Sequence, residues 1–269
     1  MMEEYLVELS LRLDDGRTTV LEQWGDRGPC IVAVHGITSS RKSWQRLGEA
    51  LEGRARLFAY DQRGHGDSAH VEGPMTHERS VADLRNVVAA LPEPPLAVIG
   101  HSWGGAIALL AGINLPFERV VAIDPMVYVE PGSWRREFLD DVEADLALAP
   151  DERERVLRER LASWDERDIE GKIHAMRTMS PRAIARLGSE NRVDDGGWDL
   201  RTRIAGYPKP LLLLVAGPDD SVIAANDLET LHRTAGPNAE IKVFADQGHN
   251  LHRSAFDRFL AEVCAFLAH

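Results

Sequence analysis

Cysteine is scarce in this chain: among 269 residues only Cys30 and Cys264 occur, each in apolar surroundings. Two cysteines make no disulfide framework, so reduced core thiols are expected, with a Cys30–Cys264 bridge left open. Long apolar runs are absent too, and none approaches the ~20 residues that span a bilayer, which argues against a membrane partner. The segment Met1-Met2-Glu3-Glu4 lacks a basic stretch followed by an apolar one, so a signal peptide is not expected and a cytoplasmic location is. Clustered cation is missing: the formal net charge is -12 and the pI about 5.3, which speaks against a nucleic-acid partner. The charge reads as a solubility feature. Neither a metal-ligand cluster nor a nucleotide-binding glycine fingerprint is visible, so no cofactor and no metal is expected. Internal repeats and low-complexity segments are also lacking.

What is present is the composition of a soluble globular protein, with 44% hydrophobic and 28% charged residues. Short apolar runs alternate with helical patterns, the signature of an α/β fold with a mostly parallel sheet. Eight strands are predicted: Tyr5 to Leu13 and Thr18 to Trp24, joined by the hairpin signal Asp14-Asp15-Gly16, then Cys30 to Val34, Arg56 to Tyr60, Leu96 to Ile99, Arg119 to Ile123, Leu211 to Ala216 and Glu240 to Phe244. Amphipathic helices are predicted over Ser80 to Leu91 and Ala255 to Leu267. From Met126 to Tyr207 the alternation breaks into a charge-rich, helical stretch. There Asp151 and Glu154 resemble a capping box, Glu154 and Arg158 an i,i+4 ion pair, and Leu157, Leu161 and Trp164 an apolar stripe. The division expected is a core over residues 1–125 and 208–269 with a helical cap over 126–207, lying across the carboxyl edge of the sheet, where open α/β sheets bind ligands.

The chemistry concentrates in Val98-Ile99-Gly100-His101-Ser102-Trp103-Gly104-Gly105, where a buried strand passes abruptly into a buried helix with Ser102 at the turn. This is a nucleophile elbow. A serine hydroxyl needs a base, and the base needs an acid to orient it. His249, in the loop after the last strand, fits the base; His252 competes. For the acid, the turn Gly217-Pro218-Asp219-Asp220-Ser221 offers Asp220, with Asp219 beside it, and Asp124 at the end of the sixth strand is the alternative. Asp220 is favoured. Backbone amides of Ile37, after Val34-His35-Gly36, and of Trp103 are expected to hold the oxyanion, His35 being structural. Met126, Trp134, Phe138 and Trp164 are candidate substrate contacts, although core packing explains such residues at least as well.

These features together resemble the α/β-hydrolase superfamily across nearly the whole chain: His35-Gly36, the loop Asp61-Gln62-Arg63-Gly64-His65-Gly66-Asp67-Ser68, the elbow at Ser102, Gly217 to Asp220 and Gly248-His249, in the order Ser, Asp, His. The resemblance implies an α/β-hydrolase fold with a helical cap and gives Arg63 and His65 no catalytic role. Serine at position 102 sets the chain apart from haloalkane dehalogenases and epoxide hydrolases, which carry aspartate there. The expected activity is cofactor-independent hydrolysis of small to medium apolar carboxylic esters through an acyl-enzyme. Alternatives are a proline iminopeptidase-like activity, in which Glu137, Asp140, Asp141, Glu143 and Asp145 would hold a substrate amine, carbon–carbon bond or lactone hydrolysis, and, in another class, a ligand-binding receptor on a hydrolase scaffold. The partner expected is a small-molecule substrate; a homo-oligomer stays open.

Overall fold

The computed structural model describes residues 6–134 and 138–268, so the expected strand start at Tyr5 and the acid Glu137 lie outside the described residues. Eight strands form one sheet: β1 (Leu6–Arg12), β2 (Thr18–Trp24), β3 (Cys30–Val34), β4 (Arg56–Tyr60), β5 (Ala97–His101), β6 (Arg119–Ile123), β7 (Leu211–Ala216) and β8 (Ala239–Phe244). Their order is β1-β2-β4-β3-β5-β6-β7-β8. The β1–β2 and β2–β4 pairs are antiparallel and all others parallel. The first hairpin closes at Gly16, whose φ of 82° suits a residue without a Cβ.

Strand residues alternate between two apolar layers, as the two-residue period of a strand demands. Val32, Val34 and Val98 join Ile107 and Leu110 of the helix Trp103–Asn114 and Leu84 and Val87 of the helix His77–Ala90. Ile31, Ala33, Ile99 and Val121 face the other way, against Trp44, Leu47 and the closing helix Phe256–Leu267 with Phe259 and Val263. Because both faces are covered, the central strands are mostly apolar; all six residues of β7 are apolar and buried.

Between β6 and β7 the described chain is helical: Asp140–Ala147, Pro150–Arg160, Glu166–Thr178, Pro181–Glu190 and Arg201–Ile204. The capping-box expectation is corrected here. Ala149 is the N-cap and Pro150 the first helical residue, which suits a ring that fixes φ and lacks an N–H, so Asp151 falls inside the first turn. The Glu154–Arg158 pair forms at 3.1 Å, and Leu157 is buried. The helix Glu166–Thr178 packs on the short helices Arg41–Trp44 and Gly66–Ser68, which follow β3 and β4. Gly171 allows this approach, since a Cβ there would meet Lys42 O at 3.1 Å. Ser180 N donates to Gly64 O at 3.1 Å, and Asn191 Nδ2 to Met75 O at 2.8 Å. These contacts hold the insertion against loops at the carboxyl edge of the parallel strands.

Candidate active site

Ser102 sits between β5 and the helix Trp103–Asn114 with φ 56° and ψ −120°, a strained backbone for a residue with a side chain. Two glycines make the turn sterically feasible. A Cβ on Gly100 would lie 2.1 Å from Gly104 O, and one on Gly104 would lie 2.2 Å from Val34 O. The serine is also clamped to β6: its N–H donates to Ile123 O at 3.0 Å, and Met126 N–H donates to Ser102 O at 3.1 Å.

That clamp decides which acid is near. His101 pairs with Ile123 in the β5–β6 register, so Asp124 is the next residue along, beside Ser102. His249 Nδ1 lies 2.6 Å from Asp124 Oδ2. Since a carboxylate oxygen accepts, Nδ1 carries the proton and Nε2 is left with its lone pair. Asp124 is fully buried and held by further donors: Ala216 N at 3.0 Å and Ser221 Oγ at 2.6 Å on Oδ1, and Val222 N at 3.0 Å on Oδ2. The expectation that Asp220 orients the ring is therefore corrected. Asp220 is exposed, and its Oδ2 accepts from the backbone N–H of His249 at 3.0 Å, so it shapes the loop and leaves the imidazole to Asp124. Asp219 is likewise exposed. The misreading followed a local turn pattern, whereas adjacency of β5 and β6 was the informative signal.

His252, the rival base, is buried with its ring 5.6 Å from Trp44 and 4.3 Å from His101. His101 was not singled out from the sequence. Its Nε2–H donates to His249 O at 3.0 Å and its ring lies 4.5 Å from that of His249, bracing the histidine loop. Burial, then the neighbouring His252 and His249, hold the His101 imidazole well below its usual pKa, and burial does the same to His252. Among the described residues no hydrogen bond joins Ser102 Oγ to His249; in an unliganded site that contact is often long.

Trp103 directly follows the serine, and Gly36, the residue before Ile37, is close enough to the elbow that a Cβ on it would meet Ser102 Cβ at 3.1 Å. His35 Nδ1–H donates to Gly36 O at 2.8 Å and Nε2 accepts from Gln62 N at 3.0 Å, fixing the loop that carries Ile37. Arg63 and His65 serve the scaffold: Arg63 is paired with Asp83 and Asp15, and His65 Nδ1–H donates to Arg63 O at 2.8 Å. Of the candidate substrate contacts, Met126 is buried with its backbone tied to Ser102 and to Trp198 Nε1, the latter at 2.7 Å. Trp134 packs in the insertion against Phe138 and Gly188. Trp164 is half-buried under the Arg253 guanidinium, 4.7 Å from ring centroid to Cζ. An open groove of about 540 Å³ passes Trp164, Arg253, Arg46 and Phe256 but includes neither Ser102 nor His249. Asp140, Asp141 and Glu143 are exposed, and Asp145 pairs with Arg160 at 2.7 Å.

One group of potential metal ligands occurs among the described residues, Asp61, Asp67 and His174. Arg41 already fills its centre, bonding both carboxylates, with Asp67 Oδ2 at 2.7 Å from Nη1. The guanidinium thus meets the charge of both carboxylates.

The model of the alpha/beta hydrolase family matches residues 31–262. The chain belongs to that family. It is 27% identical to sn-1-specific diacylglycerol lipase of Mus musculus over 97% of this chain and 85% of that one. It is 26% identical to N-formylmaleamate deformylase of Pseudomonas putida over 92% and 91%. Among solved structures, E-2-(acetamidomethylene)succinate hydrolase shares the fold at a TM-score of 0.80 and 21% identity, over 98% of this chain and 100% of that one. An esterase from Exiguobacterium antarcticum does so at 0.74 and 18%, over 98% and 100%. The family is one of hydrolases, and no helix among the described residues is long and apolar enough to cross a membrane.

Proposed function

We propose that this hydrolase cleaves carboxylic esters through an acyl-enzyme formed on Ser102. The observation that carries the reading is the buried Asp124–His249 pair beside a serine held at positive φ. His249 Nε2 takes the Ser102 proton as Oγ attacks the acyl carbon; the imidazolium that forms is stabilised by Asp124, and it returns the proton to the leaving alcohol. The Ile37 and Trp103 amides donate to the oxyanion, and water then repeats the sequence to release the acid. The insertion over 126–207 acts as a cap that sets which acyl group enters.

The lipase and esterase relatives support an ester bond, while the likeness to N-formylmaleamate deformylase favours an acyl–nitrogen bond as the second reading, served by the same groups. Ser102→Ala should lower turnover of 4-nitrophenyl esters by at least about 10³-fold while keeping the fold, and a fluorophosphonate should label Ser102 alone. Labelling elsewhere, or near-parent turnover of the alanine variant, would exclude the mechanism. A panel of esters, lactones, thioesters and formyl amides ranks the bond types, and stoichiometric binding without turnover would favour a receptor.

A further inference from the structure

Two cations hold the segment that follows Ile37, one bonded to Thr38 and one to Ser39. Lys172, on the insertion helix Glu166–Thr178, donates from Nζ to Thr38 O at 2.9 Å and to Thr38 Oγ1 at 2.8 Å. Arg253, on the short helix Leu251–Ser254 that follows His249, donates from Nη2 to Ser39 Oγ at 3.2 Å and from Nη1 to Asn250 Oδ1 at 3.3 Å. Arg253 is only 5% exposed, yet its Nε has no partner at all.

Lys172 is half-buried, and the other buried arginines among the described residues pair with acids. Arg41 meets Glu22 and Asp61, and Arg63 meets Asp83. Among the described residues, by contrast, no carboxylate lies within salt-bridge distance of Lys172 or Arg253; Asp168, the acid that bears on Arg253, is engaged by Arg46 at 3.3 Å. Removing a cation from water without an anion is costly, and two like charges on one loop add repulsion to that cost. The strain is visible in their acidity. Burial, and then the charge of Arg253, brings the Lys172 ammonium down to about 7, with Asp145 pulling weakly the other way, and burial brings Arg253 down to about 10. Two cations without a carboxylate in salt-bridge distance, bonded to the segment after Ile37 and, for Arg253, set on the helix that follows His249, are an arrangement that suits an anion arriving with the substrate.

We propose that Lys172 and Arg253 bind a carboxylate on the acyl side of the substrate, so that the enzyme prefers monoesters or monoamides of dicarboxylic acids over neutral acyl groups of equal length. This rests on the Ser102 reading and narrows it. Thr38 and Ser39 directly follow Ile37, so an acid held there would lie on the loop that carries the proposed oxyanion donor, and the free Arg253 Nε with one Nη offers a carboxylate the fork geometry of a bidentate pair. The third N–H of Lys172 completes the cradle.

The test compares 4-nitrophenyl hydrogen glutarate with 4-nitrophenyl valerate, acyl chains of the same length that differ by the terminal charge. In the parent, kcat/KM should favour the glutarate ester by at least about tenfold. Lys172→Gln and Arg253→Gln should each reduce that ratio by about tenfold or more, chiefly through KM, and Lys172→Arg should restore part of it. Glutarate itself should inhibit competitively and bind the Ser102→Ala variant in calorimetry, a readout that needs no turnover and so separates failure of the anion site from failure of the serine mechanism. If Arg253→Gln does not fold, Lys172→Gln and the glutarate titration decide. A parent ratio near one, equal losses on both esters in the variants, or non-competitive inhibition by glutarate would overturn the proposal; the second would make the pair a loop clamp and the third would move the anion to the outer groove.

Discussion

At the residue scale the two aspartates that face His249 do different work, and their environments say which. Asp124 is fully buried and receives three donors besides the imidazole it meets; Asp220 is exposed and meets only a backbone N–H. An asparagine at 124 presents N–H₂ or a neutral oxygen to Nδ1, which either reverses the tautomer or removes the charge that stabilises the imidazolium. Asp124→Asn should therefore lower kcat by about 10⁴-fold, the loss seen when the triad acid of a serine protease is amidated. Asp220→Asn keeps an oxygen for the His249 amide and should cost less than about tenfold. Both are checked by kcat on variants whose circular dichroism matches the parent. The reverse ranking would return the acid to the turn after β7. This pair also marks where sequence reading ran out: Asp220 lies in a turn whose pattern is local, while Asp124 owes its place to pairing between β5 and β6, a contact that nothing within either segment encodes.

At the scale of elements, the strands were legible because their runs are apolar on both faces, as in Leu211–Ala216 and Arg119–Ile123, and glycine or proline bounds them. The insertion was legible as helical from its charge and periodicity, but the start of the Pro150–Arg160 helix was misread because an acid-rich first turn looks like a cap. The cation pair stayed hidden for the same reason as Asp124: Lys172 and the Thr38 loop are far apart in sequence and meet only once the insertion folds back. The elbow is a tight contact between elements. A methyl group on Gly104 would stand 2.2 Å from Val34 O and 2.5 Å from His35 O, both backbone atoms of the strand and loop that position Ile37. Neither can yield without parting β3 from the helix. Gly104→Ala should thus cost about 3 kcal/mol or more, the upper end of overpacking effects, and displace the loop that carries Ile37. Urea unfolding measures the first effect and residual kcat the second. A variant with parent-like stability would mean that the helix start is free to shift.

For the whole molecule, the buried histidines set the response to acid. His35, His65, His101 and His252 are each at most 6% exposed, and burial holds all of them below the ordinary histidine pKa of 6.5. Neighbouring cations and imidazoles push His35, His101 and His252 further in that direction. As pH falls through 6.5 the unfolded chain takes up protons that the native fold refuses, so stability is retained above that pH and lost below it. Each such proton contributes a slope of about 1.4 kcal/mol per pH unit. Asp83 and Asp168, raised by burial from 3.8, oppose this trend, but they are fewer than the four histidines. Carboxylates held below their usual range, such as Asp165 at about 2, matter only in stronger acid. The urea midpoint should therefore drop steeply between pH 7 and 5. His252 provides the internal control, since neither of its ring nitrogens has a partner and its ring stacks near Trp44 and Phe259. His252→Phe keeps an aromatic ring there while removing one titrating group. Its stability should fall less steeply over the same interval, by about one proton's slope at most, and equal slopes for variant and parent would show that burial of His252 is not part of the acid response.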